Sequence, residues 1–176
     1  MSRIPLKPIE QIPEAARDFT VRRGDLNVFR LLANAPRVFD GWTRMTDELL
    51  NSPTFSLRMR ELVILRVAYL QNSAYEIAQH VDVARRAGIA DREIEALADD
   101  DLPDAGFDAT ELAVLTLITE LCTTKHLTEN TFSAVETILG TNAITELLMI
   151  VSLYFGLALV LNAADLEIDS NSHLQV

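Results

Sequence analysis

An all-α fold is the class this sequence predicts, with about eight helices in one domain of 176 residues. Three observations carry it. Apolar residues recur at spacings of three and four, which gathers them on one face of a helix. The period-two alternation of half-buried strands is nearly absent. Proline and glycine fall between the periodic stretches, where they punctuate helices rather than interrupt them. No internal repeat is apparent.

Taken in order, residues 1–24 are polar with three prolines and read as an arm or extended lead-in. Leu26 to Ala33 reads as a short helix that stops near Pro36. Pro36 to Leu50 is the next, with proline tolerated in its first turn. Asn51-Ser52-Pro53 breaks the chain. Ser56 is placed to cap a helix running to about Gln71. A helix from Ala74 to Ala87 ends at Gly88, a good C-terminal stop. Asp91 to Ala98 is short. Asp99 to Phe107 holds three consecutive aspartates, Pro103 and Gly106, and reads as a loop. Asp108 to Lys125 keeps helical spacing through Leu112, Leu115, Ile118, Thr119 and Cys122. Thr128 caps a helix that Gly140 stops, and Thr141 to about Ala164 is a long apolar helix. Residues 165–176 form a polar tail that contains His173.

Composition excludes several functions. Apolar residues make up 49%, enough for a substantial core. The net charge of −11 disfavours nucleic acid and anionic membrane surfaces. The single cysteine, Cys122, makes no internal disulfide, Cys-x-x-Cys centre or thiolate zinc site, and reads as a small buried hydrophobe. The N-terminal residues lack the apolar core of a signal peptide, so a reduced, cytoplasmic protein is expected. The apolar run Leu147–Leu161 is 15 residues long, short of the roughly 20 a membrane span needs. It reads as a buried helix, in a core or between subunits. Three scattered histidines make no metal motif, and neither a phosphate-cradling loop nor a nucleophile elbow is present.

Two residues break the pattern where it matters. Residues 57, 61, 64 and 68 form a stripe of Leu, Glu, Ile and Ala. Residues 73, 77, 80, 84 and 87 form another of Ser, Ile, His, Ala and Ala. Glu61 and His80 each stand on an apolar face, where a charge is costly unless it is partnered. Two helices joined by a short turn can give them to each other, and a carboxylate that orients an imidazole suits proton transfer. Glu76 lies one turn before His80 on the same helix. The same placement fits a buried Glu61–His80 pair that fixes helix register, with Glu76 a surface charge. Arg58, Arg60 and Arg66 flank Glu61 as candidate holders of a substrate carboxylate. Tyr75 and Gln79 are candidate lining donors. Arg85 and Arg86 read as solvated or interface charges, and Trp42 and Tyr69 as packing. His126 sits at a helix end, where the dipole favours a cation.

At these residues the chain resembles the carboxymuconolactone decarboxylase family, which includes alkyl hydroperoxidase D. The resemblance runs from about Leu57 to Asn162. It rests on Arg60-Glu61-Leu62-Val63-Ile64-Leu65-Arg66-Val67, on Tyr75-Glu76-Ile77-Ala78-Gln79-His80, and on Ala84-Arg85-Arg86-Ala87-Gly88. It implies an alkyl hydroperoxidase D-like helical fold assembled as trimers or hexamers. The family's peroxidase branch carries Cys-x-x-Cys where this chain has Ser73 and Glu76, while the branch's glutamate and histidine fall at Glu61 and His80. A hydroxyl and a carboxylate cannot perform thiol–peroxide chemistry. The resemblance then implies a decarboxylase-like reaction without a cofactor on a small lactone-type acid. His80 would move the proton, Glu61 would orient it, and Glu76 would be a second acid or base. Arg60, Tyr75 and Ser73 would bind the substrate. A redox-defence role using a partner's thiols, and a non-catalytic helical oligomer, are the competing readings.

Overall fold

A computed structural model describes residues 2–99, 101–170 and 174–175. The reading of His173 in the tail lies outside the described residues. Among those residues there are eight α-helices and no strand. They are α1 (Glu14–Arg22), α2 (Asn27–Leu32), α3 (Pro36–Asn51), α4 (Leu57–Leu70), α5 (Ala74–Arg86), α6 (Asp91–Asp99), α7 (Ala109–Thr124) and α8 (Glu129–Ala164). A 3₁₀ turn, Ile9–Gln11, precedes them.

The chain forms two compact units, one from Met1–Ser52 with Val160–Val176, the other from Pro53–Leu159. In the first unit α1 packs on α3. Phe19 meets Phe29 edge-on at 5.1 Å, and Trp42 stacks on Phe39 at 6.1 Å. Asp47 receives Arg22 at 2.9 Å and Arg23 at 3.0 Å. The extended lead-in expected over residues 1–24 is here corrected, since nine of those residues form α1. Pro13 sits at the N-cap, where a missing N–H costs nothing, and Ala16, Phe19 and Thr20 bury one face.

In the second unit α4 is central, packed on α5, α6 and α7. Ser56 caps it by accepting the Met59 N–H at 3.2 Å. Its residues 61–68 are all buried, so α4 is enclosed on every side rather than along one stripe. Asp108 and Glu111 form a reciprocal capping box at the start of α7. Gly140 breaks α8 with φ 78° and ψ 162°, a conformation open in practice to glycine alone. The two expected helices on either side of it are thus both present. By length and composition α8 could cross a membrane, with mean hydropathy 2.2 over its most apolar stretch, half of which is buried within the protein.

Candidate functional site

The turn between α4 and α5 builds the site. Asn72 takes the left-handed conformation at φ 51°, and Ser73 N–H returns to the Ala68 carbonyl at 2.9 Å. This reverses the chain so that α5 lies along α4, with Glu61 opposite His80. Glu61 Oε2 is 2.9 Å from His80 Nδ1, and both residues are buried. With the proton on Nδ1, the ring donates to the carboxylate, which fixes its orientation. Burial pulls the imidazole pKa down. The Glu61 charge and hydrogen bond, with a smaller contribution from Glu76, outweigh that and raise it above its ordinary value. Tyr154, from α8, meets the His80 ring edge-on at 5.4 Å. Sequence reasoning missed Tyr154, which lies in an unbroken apolar run with nothing to single it out.

Glu76 is buried, only 2% exposed, and so is not the surface charge that one reading allowed. Ile77, expected on the inner stripe, is only half-buried. The inner face of α5 runs instead through Ser73, Glu76, His80 and Val83, a set that keeps the three-and-four spacing equally well. Burial raises the Glu76 carboxyl to a pKa of about 7, although the Ser73 hydroxyl and the His80 charge oppose the shift. Ser73 Oγ and both Glu76 carboxyl oxygens are buried without a hydrogen-bond partner. The serine therefore acts as a nearby dipole and does not close a bond.

Two of the three flanking arginines serve the structure. Arg58 binds Glu93 at 2.6 Å and Glu111 at 2.7 Å. Arg66 is buried and donates to Thr119 Oγ1 at 2.9 Å and to the Leu97 carbonyl at 2.7 Å. The expectation that these two hold a substrate carboxylate is corrected, because their forks are occupied by partners 30 to 53 residues away. Arg60 is half-buried and turns its Nη1 to the Phe55 carbonyl at 2.6 Å. Tyr75 and Gln79 are buried on α5. Arg85 pairs with Asp82 and Asp91 on the surface, as expected. Among the described residues no cluster of three or more His, Cys, Asp or Glu could hold a metal ion. A cavity of about 320 Å³ lies elsewhere in the unit, between α7 and α8, lined by Leu121, Cys122, Lys125, Leu148, Val151 and Phe155 among others. It is apolar and carries none of the paired polar groups found at His80. Burial pushes the Cys122 thiol pKa up, opposed by Lys125 and Arg66.

Comparison with known proteins gives one family match over part of the chain. The Carboxymuconolactone decarboxylase family matches residues 36–120, a stretch that contains Glu61, Ser73, Glu76 and His80. Over those residues the chain is similar to that family. The match starts at Pro36, earlier than the sequence resemblance, and ends before α8. Nothing among the curated proteins matches it. Solved structures share the fold. One is an uncharacterized peroxidase-related protein with an alkylhydroperoxidase AhpD core from Ralstonia eutropha JMP134 (19% identity, TM-score 0.81, 96% of this chain and 93% of that one). Another is an uncharacterized peroxidase-related protein from Silicibacter sp. TM1040 (17%, 0.78, 98% and 94%). A third is the debrominase Bmp8 in complex with 2,3,4-tribromopyrrole (14%, 0.78, 96% and 91%). These identities show the alkyl hydroperoxidase D-like fold alone. This chain has no Cys-x-x-Cys anywhere in its sequence.

Proposed function

We propose that this protein is a cofactor-free acid–base enzyme of the carboxy-lyase type, acting on a small unsaturated acid such as a lactone acid. The observation that carries the reading is the buried Glu61–His80 pair at 2.9 Å, with Glu76 beside it. The raised imidazole pKa favours an imidazolium that can deliver a proton. In the reaction, the bond from the reacting carbon to its carboxylate breaks and carbon dioxide leaves. The electron pair stays on that carbon and spreads onto the substrate's conjugated carbonyl. His80 then gives a proton to the carbon and regains one from solvent. The substrate's own carbonyl is the electron sink, so the step requires no cofactor.

The thiol route has less support, because Cys122 is buried, has a raised pKa and lacks a second cysteine. As further parts of the proposal, the protein works in the cytoplasm as a trimer or hexamer, away from nucleic acid and membranes. The exposed apolar residues Met149, Leu159 and Val160 on α8 suit burial between subunits. The test is carbon dioxide release from a panel of unsaturated lactone acids, run beside peroxide consumption and debromination of tribromopyrrole. Release from at least one acid that depends on His80 is the expected result. Turnover of peroxide or bromopyrrole alone would sink the lyase reading. Light scattering that gave a clean 19.6 kDa monomer would sink the oligomer.

A further inference from the structure

We propose that Ser73 and Glu76 form a pair of neutral hydrogen-bond donors that holds the substrate oxygen on which negative charge builds, so the site selects acids with a flat, conjugated oxygen next to the reacting carbon. This deepens the acid–base reading above and rests on it.

Three buried polar atoms without a partner, Ser73 Oγ, Glu76 Oε1 and Glu76 Oε2, lie on adjacent turns of one helix face. A buried polar group left unbonded costs free energy. Such a cluster beside a functional side chain offers hydrogen-bonding positions that a ligand can complete. Here the functional side chain is His80, one turn further along the same face.

The surroundings decide which ligand. The ionisable groups that the structure places around this spot are Glu61 from α4, Glu76 and His80 from α5, and Tyr154 from α8. His80 already neutralises Glu61. An ionised Glu76 would then leave one uncompensated buried charge, so the carboxyl keeps its proton up to about neutral pH. In that form it donates an O–H, as does Ser73. Arg58 and Arg66 are bound elsewhere, so neither supplies a cation to an oxyanion. Two fixed neutral donors in a buried site are well suited to an oxygen whose charge appears only as the carbon–carboxylate bond breaks. The electron pair released by the departing carbon dioxide ends on that oxygen. It leaves again when His80 protonates the carbon.

Benzoate tests this without turnover. It presents a flat conjugated oxyanion whose charge is constant from pH 6 to 8.5. Binding is measured by calorimetry to the full-length protein and to Ser73→Ala, Glu76→Gln and Glu76→Ala, with helicity checked by circular dichroism. At pH 6, Ser73→Ala should weaken binding roughly tenfold, the loss of one good hydrogen bond. As pH rises through about 7, wild-type affinity should fall further than that of Glu76→Gln, whose amide still donates but cannot ionise. The inference is overturned if wild type shows no saturable binding, if Ser73→Ala binds like wild type, or if wild type and Glu76→Gln share one pH profile. Should Glu76→Ala fail to fold, the other two variants decide. Decarboxylation through His80 without these binding effects would remove the donor pair and keep the lyase. The binding effects without decarboxylation would do the reverse.

Discussion

Replacing Glu76 by glutamine should stabilise the protein in mild alkali and leave it nearly unchanged in mild acid. The folded state raises this carboxyl from its ordinary 4.5 to about 7. A proton held more tightly in the folded state than in the unfolded one makes stability fall as pH rises between those two values. Below pH 4.5 both states are protonated and the effect is absent. Above about 7 both have lost the proton, and the full cost of a buried, unpartnered carboxylate is felt. Over the interval from 4.5 to about 7, at about 1.4 kcal/mol per pH unit, that cost is on the order of 3 kcal/mol. Glutamine has nearly the same volume and no charge. Its own unpaired amide costs the same at every pH, so the readout is the change in the difference between pH 5 and pH 8.5. Urea unfolding at both pH values, at one protein concentration, measures it. Thermal melts should show the same effect as a gap wider by about 6–12 °C at the higher pH. A difference that does not change with pH, or a variant less stable in alkali than wild type, would refute the reasoning.

Three further outcomes are expected. The His80 ring should titrate above the ordinary histidine pKa by NMR, and Glu61→Gln should lower that value. Because the shift is upward, the pair's stabilisation is complete below about 6.5 and is lost as pH rises through the folded value. Gly140→Ala should destabilise by about 1–3 kcal/mol in urea, since an added Cβ meets nothing within 4 Å and the cost is backbone strain at φ 78°. Cys122→Ser should leave turnover intact at a stability cost on the order of 1 kcal/mol, measured by initial rates and urea unfolding; loss of activity there would return the protein to thiol chemistry.

What could be read from the sequence was what local chemistry determines. The Ser56 cap, the stops at Gly88 and Gly140 and the facing of Glu61 by His80 follow from spacing and turn residues, and the structure contains each of them. The helix after Pro13 is hard to read because proline content suggests extension, whereas proline at a helix entrance favours the helix. The inner face of α5 was placed through Ile77 because an apolar side chain was preferred to a carboxylate, and burial of Glu76 depends on neighbours the periodicity does not contain. The tasks of Arg58 and Arg66 depend on Glu93, Glu111, Leu97 and Thr119, distant in sequence. Tyr154 likewise reaches His80 only through the packing of α8.

The central claim is that the Glu61–His80 pair moves a proton. The most direct measurement is carbon dioxide release from the best lactone acid of the panel by wild type and by His80→Gln, with matched circular dichroism spectra. Glutamine keeps a hydrogen-bonding head at similar volume and removes the titrating group. A loss of roughly 100-fold or more in kcat, with the fold retained, is the predicted result. Unchanged turnover in the folded His80 variant would contradict the account.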